Sequence, residues 1–305
     1  MIKNTSRLWA ISSAVWPGKG FRAIRQRLQF VGRALTAYSA VRPFLEARQD
    51  SSLGKLMSHR PETIGAVVWP YQCSGWNART RLERIRQHYS IIEKWGGRLA
   101  FPSDGQLVLL DLPDIRQGLR VIIDGPKWFM REGELSINLF INEERIFSLA
   151  FSLTHQNGSH AAFVGGIQGR DIEGALVEYR ELTKATHGMR PRDFLIELFR
   201  MFCSKLGVKT IFAVSDAYRH HRHPYFAQAS KMFFNNYDEI WSDRGGSRVD
   251  PMYFEFAVDA RWRDLDTVPA KKRAMYRRRY EMLERISRQI DARLDICEQE
   301  TEGGL

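Results

Sequence analysis

The sequence predicts an α+β fold in which antiparallel strands are followed by a helix–strand unit, with helices at the N-terminal and C-terminal ends. Three observations carry that expectation. In Leu135-Ser-Ile137-Asn-Leu139-Phe-Ile141 the odd positions are all apolar, as a half-buried strand demands. Asn157-Gly158 separates two further strand-like runs, and both residues tolerate the positive φ that a two-residue hairpin turn requires. Pro191 then opens an apolar stripe of helical spacing, Phe194, Leu195, Leu198, Phe199, Phe202 and Leu206, which stops at Gly207. Val208 to Val214 reads as a buried strand leaving that helix.

Taken in order, the first clear element begins at Phe21. Phe21, Ile24, Leu28, Val31 and Leu35 share one side of a helix, and Arg22, Arg25, Arg27 and Arg33 decorate the rest. Such a helix either packs on the domain, the simpler reading, or lies on a membrane surface. Leu82, Ile85, His88, Tyr89 and Ile92 mark a second helix from Arg79 to Trp95, which Gly96-Gly97 would end. Short strands follow: Leu135 to Ile141, a turn at Asn142-Glu143-Glu144, Arg145 to Leu153, and His160 to Ile167. Beyond the helix–strand unit, Tyr237 and Trp241 share a helix face, which reads as core packing, and a strand lies around Tyr253 to Val258. Residues 1–98 are therefore expected to form a mainly helical region, and residues 99–305 an α/β core ending in a basic helix.

The 305 residues, 44% hydrophobic and 27% charged, suffice for a large core. A net charge of +11 favours anionic partners: nucleic acid, acidic lipid headgroups or phosphorylated cofactors. Cys73, Cys203 and Cys297 are too dispersed for a disulfide framework or a thiolate zinc site, and suit a reducing cytoplasm. Lys3 and Arg7 precede the apolar run Leu8-Trp9-Ala10-Ile11, but two serines and Pro17-Gly18 interrupt it, so it does not read as a secretion signal. No segment reaches the roughly twenty apolar residues of a spanning helix. The expected location is cytoplasmic, with peripheral contact to the inner membrane.

Five pieces run in order through the C-terminal half: Phe163-Val-Gly-Gly-Ile-Gln168-Gly169; Leu182-Thr183-Lys184 with His187-Gly188-Met-Arg190-Pro191; Ala213-Val214-Ser215; Tyr237 with Trp241 and Gly245-Gly246; and Lys272-Arg273 with Tyr276-Arg277-Arg278-Arg279-Tyr280. With the Leu82 to Tyr89 helix upstream, this ordered set resembles the VirK/YbjX family over most of the chain, the extreme termini excepted. The resemblance implies a bacterial protein associated with virulence and with resistance to cationic antimicrobial peptides. It supplies no catalytic residues.

The succession of strand, Gly188 turn, helix and strand is similar to the central unit of GNAT-type acyltransferases, in which a helix N-terminus receives the pyrophosphate of an acyl-coenzyme A. That likeness implies a GNAT-acyltransferase-like core and a coenzyme A thioester as cofactor. Unpaired N–H groups and a partial positive charge make any helix start an anion site. Here Arg190 and Arg192 flank Pro191, and cations in a first turn oppose the helix dipole. A bound anion would relieve that misfit; Asp193 would relieve it equally. Only Gly188 stands where the acyltransferase loop is richer in glycine.

The remaining candidates each have two readings. Gln168-Gly169 ends a strand where a ligand could approach the backbone, or is an ordinary exit from a sheet. His187 is a candidate general base or phosphate contact, or a solvated loop histidine. Ser215-Asp216 follows a central strand, where functional groups collect, or caps a short helix. No nucleophile elbow surrounds Ser215. His220, His221 and His223 show no carboxylate at ligand spacing, so no metal is expected. Lys272, Arg273, Arg277 and Arg278 form an anion-binding surface on the last helix, or its solvated face. Function then reads as an acyltransferase-like enzyme that takes a phosphorylated small molecule and acts on an anionic envelope component. The alternative is a non-enzymatic module binding anionic lipid or RNA through basic helices, with nucleic acid the less favoured because no nucleic-acid motif accompanies the charge.

Overall fold

The computed structural model describes residues 2–95, 99, 105–125, 129–170, 174–226, 236–259 and 262–302, with side chains from residue 4 to residue 295. Its centre is an eight-stranded mixed sheet. The strands are β1 (Gln106–Asp111), β2 (Leu119–Asp124), β3 (Leu135–Ile141), β4 (Glu144–Gln156), β5 (Ser159–Gly169), β6 (Thr210–Val214), β7 (Ser247–Arg248) and β8 (Tyr253–Ala257), in the spatial order β1-β2-β3-β4-β5-β6-β8-β7. Every neighbouring pair is antiparallel except β5 and β6. The expected meander is present, and Asn157 and Gly158 take φ of 50° and 77° at its hairpin.

Both faces of the sheet are covered. Along β4, Ser152 and Thr154 point to one side: the Ser152 hydroxyl lies 2.8 Å from the Tyr71 hydroxyl, and Thr154 donates to Gln87 Oε1 at 2.6 Å. Gln87 belongs to α5 (Ala78–Lys94), which crosses this face with α1 (Ile2–Val15), α2 (Phe21–Thr36), α3 (Tyr38–Leu45) and α4 (Ser52–His59) around it. Phe151 has the opposite parity and meets Phe199 and Phe202 on the other side. Those two belong to α7 (Pro191–Lys205), which follows α6 (Ala175–Ala185) and packs beside the long α9 (Ala270–Glu302). Covered twice, β4 is buried almost without interruption. One cluster of buried apolar side chains runs from Leu8 to Leu294.

Local signals explain most of these elements. Pro191 sits at the first position of α7, where its missing N–H costs nothing, and Gly207 leaves the helix with φ of 69°. Asn77 caps α5 by accepting from Thr80 N at 3.0 Å, and Leu82, Ile85, His88 and Ile92 are buried as their spacing requires. Tyr237 and Trp241 of α8 (Tyr237–Asp243) are both buried. Gly96-Gly97, expected to end α5, lie outside the described residues.

One element departs from expectation. α2 forms, but four of the five residues of its apolar stripe do not face the core: Phe21 is 84% exposed, Leu28 59%, Leu35 43% and Ile24 40%, and only Val31 packs against it. The side that packs carries Phe30 and Ala34 instead. Phe30 meets Trp16 at 5.6 Å between ring centroids. The helix therefore has two apolar faces, and the larger one is turned to solvent.

Candidate functional site

Among the described residues, three places bear chemistry. The first is an open cavity of about 1030 Å³ between the end of β5, α6, the start of α7 and Ile240 of α8. Arg170, Arg180, Lys184, Arg190 and Arg192 supply cations to its wall. Arg192 pairs with Asp193 at 3.3 Å and Lys184 with Glu181 at 2.8 Å. Among the described residues no ion pair falls on Arg170, Arg180 or Arg190. Phe147, Leu176 and Tyr179 give the same cavity an apolar side, and Leu176 is 70% exposed.

Gly169 lines this cavity with Arg190 and Arg192, so three of the expected cofactor-binding residues meet there. Gly169 itself is needed by the packing, because a Cβ would run into the Tyr179 hydroxyl. Gln168 is exposed at the same strand end. Gly188 faces elsewhere: Arg279 and Met275 of α9 lie against it. His187 and Gly188 both have positive φ, 52° and 82°, and the His187 carbonyl accepts from Arg279 Nε and Nη2 at 3.1 and 2.7 Å. Burial, then the charges of Arg278 and Arg279, lower the His187 pKa. The turn is thus a bracket between α6, α7 and α9.

On α9, Lys272, Arg277 and Arg278 are exposed, while Arg273 donates to the carbonyls of Val268 and Asp266 and so secures the start of the helix. Tyr276 and Tyr280 are half-buried and Leu283 and Ile286 fully so, as the stripe predicts.

The second place lies where β5 and β6 part. Their parallel ladder covers only Ala161 to Val164 against Thr210 to Ala213. Beyond it Gly165-Gly166 leave room for Glu132, whose backbone carbonyl and carboxylate any Cβ at those positions would strike. Gln72 Nε2 donates to the carbonyls of Glu132 at 3.2 Å and Phe163 at 3.1 Å, holding this arrangement with a buried side chain. His220 and His221 come from the turn after β6, and His220 Nδ1 lies 3.4 Å from Glu132 Oε1. The carboxylate that sequence spacing does not reveal is supplied by a distant loop.

Electrostatics at this second place follow from its burial. Desolvation pushes the Glu132 carboxyl up to about 7, against the pull of the Arg219 guanidinium. Desolvation and neighbouring cations lower His220 to about 3 and His221 to about 4, so both imidazoles are neutral at physiological pH. Arg219 stacks on Tyr237 at 3.7 Å from the ring centroid. Asp216 joins Arg222 at 2.6 Å and Arg219 at 3.5 Å, and Ser215 Oγ donates to the Pro251 carbonyl at 2.7 Å. Ser215 and Asp216 therefore organise the turn that carries the histidines, whereas His187 sits at the α9 bracket.

The third place is the solvent-facing side of α2. Its sequence holds four arginines and no acidic residue. Arg27 is engaged, donating to the carbonyls of Trp16 and Gly18, and Arg33 reaches the Val68 carbonyl at 3.5 Å, while the residues Arg22, Arg25 and Arg33 are exposed.

Comparison with known proteins decides the family. A family model described as "Protein of unknown function (DUF535)" matches residues 19–292. The chain belongs to that family. DUF535 relatives include the Escherichia coli K12 "Uncharacterized protein YbjX", 26% identical over 90% of this chain and 85% of its own. A Haemophilus influenzae "Uncharacterized protein" is 30% identical over 70% and 72%. A Mannheimia haemolytica protein named "Membrane protein LapB" is 20% identical over 69% of this chain and 92% of its own. The VirK/YbjX resemblance thus holds along nearly the whole chain. No solved structure matches.

Proposed function

We propose that this DUF535 protein is a peripheral binder of anionic membrane surfaces that docks through α2. The carrying observation is the exposed row Phe21, Ile24, Leu28 and Leu35 beside Arg22, Arg25 and Arg33 on a helix without an acidic side chain. A monomeric soluble protein rarely leaves such a row uncovered. An interfacial helix buries it in the acyl boundary while each flanking cation contributes about 1 kcal/mol near an anionic surface. Among the described residues no helix is long and apolar enough to cross a membrane, so contact would be peripheral. The net charge of +11 and a relative named as a membrane protein accord with this reading. So does the association with cationic-peptide resistance that the family resemblance implies, since such peptides target the same anionic surface.

Sedimentation with vesicles tests it. Binding is expected to vesicles containing phosphatidylglycerol, to fall steeply with salt, and to be absent with phosphatidylcholine alone. Binding to RNA but to neither vesicle would replace this reading with the nucleic-acid alternative.

A second reading is favoured by the cavity beside α7. Its cations and its apolar side suit an amphipathic ligand with a phosphate at one end, such as a coenzyme A thioester. The parallel pair β5 and β6 joined through α7 supports a GNAT-like arrangement. The enzyme would then act at the membrane on an envelope component. Titration calorimetry with coenzyme A thioesters tests this: micromolar binding weakened by Arg190→Glu supports it, and binding indifferent to that change contradicts it.

A further inference from the structure

Apart from the docking helix and the cationic cavity, ligand-type side chains gather at the parting of β5 and β6. We propose that Glu132, His220 and His221 form a binding site for a divalent transition ion of the zinc type, a function independent of the membrane reading. Their ligand atoms lie within 4.8 Å of one another. A tetrahedral shell with bonds of about 2.0–2.1 Å places donors about 3.3 Å apart. One edge, His220 Nδ1 to Glu132 Oε1, already measures 3.4 Å, and the other two are no longer than 4.8 Å, so side-chain shifts of at most about 1.5 Å complete the triangle. Two imidazoles and one carboxylate are the donor set of a site that keeps its fourth position open.

The surroundings are built to hold these three groups. Glycines at 165 and 166 admit the Glu132 backbone and carboxylate against β5. Gln72 fixes the Glu132 carbonyl, and Glu132 N donates to the Phe129 carbonyl at 2.8 Å. On the opposite side, Ser74 N donates to the Tyr218 carbonyl at 2.8 Å, and Cys73 bridges to Arg219, so the histidine turn is tied to the same segment that holds Glu132. Glu132 and His221 are each only 7% exposed, which shields the site from competing water while the half-buried His220 leaves an entry.

The donor set decides which ion, because the nearby cations oppose every divalent ion alike. Arg219 and Arg222 share Asp216, and Arg131 lies over the rings of Trp69, Tyr225 and Phe226 at 5.0 to 5.5 Å. A shell of two imidazoles with a single carboxylate does not suit hard, oxygen-seeking magnesium or calcium. Imidazole-seeking zinc, or cobalt in its place, matches a shell of two imidazoles and one carboxylate.

The test titrates zinc chloride into chelator-dialysed full-length protein by calorimetry. One equivalent is expected to bind, with affinity reduced about ten-fold or more by Glu132→Gln and by His220→Asn. Replacing the other close histidine pair, His155 and His160 (5.2 Å between centroids), by alanine should change nothing. X-ray absorption at the zinc edge of the wild-type complex should show imidazole scattering and no sulfur, a readout that stands even if a variant fails to fold. No stoichiometric uptake by the wild type, unchanged affinity in both folded ligand variants, or a first shell without imidazole would each overturn the site.

Discussion

The Tyr237 hydroxyl closes the gap where β5 leaves β6: it accepts from Ile167 N at 2.8 Å and donates to the Ile167 carbonyl at 2.9 Å. A side chain thus replaces the missing ladder partner of a buried strand residue. Tyr237→Phe removes both bonds and leaves two buried backbone groups unpaired, a change that costs about 1–3 kcal/mol. Urea unfolding should show a lower midpoint at unchanged slope. A loss below about 0.5 kcal/mol would mean that neither bond matters to the strand.

Gly166 and Glu132 are coupled sterically. Gly166→Ala alone is expected to destabilise by about 1–3 kcal/mol, because the new methyl group meets the Glu132 carboxylate in a packed interior. Combining it with Glu132→Ala should cost less than the sum of the two single changes, and a double-mutant cycle by denaturation reads the difference. Strict additivity would contradict the contact.

His88 makes stability depend on acid. Its ring is buried on α5, where Nδ1 accepts from Leu153 N at 3.1 Å and Tyr89 stands edge-on at 5.0 Å. Burial, with a further push from the Arg60 charge, lowers its pKa from 6.5 to about 3. The unfolded chain therefore takes up a proton as pH falls below about 6.5 while the folded chain resists it until about 3, so stability is lost across that window on acidification. The loss from this group is at most about 4–5 kcal/mol. His88→Gln keeps an acceptor for Leu153 and should flatten the acid limb of a stability-versus-pH curve. An unchanged limb would assign the acid sensitivity to other groups.

Elements with strong local periodicity were legible in the sequence. β3, the Asn157-Gly158 hairpin and α7 each carry their pattern within a dozen residues, and the structure places them as expected. β1 and β2 were not, because Leu107-Val-Leu-Leu110 and Val121-Ile-Ile123 are short apolar runs that do not distinguish strand from buried helix. The outward turn of α2 was also hidden: spacing defines an apolar face but not what covers it, and Phe30 and Ala34 compete for the core from the next face. Arg190, Arg192 and Gly169 are singled out in the sequence by helix-start and strand-end reasoning, and they line one cavity. Glu132 was missed because its partners lie far along the chain. The glycine pair inside the β5 pattern was the one local sign that something approaches the strand closely there.

The uncovered face of α2 is the proposed docking surface, and vesicle flotation of the wild type beside Phe21→Asp/Leu28→Asp tests it directly. Both positions are exposed, so the double variant should keep the wild-type thermal melt. The wild type is expected to float with phosphatidylglycerol-containing vesicles at low salt, and the folded double variant to remain in the dense fraction. Equal flotation of the two proteins, or none by the wild type, would contradict docking through α2.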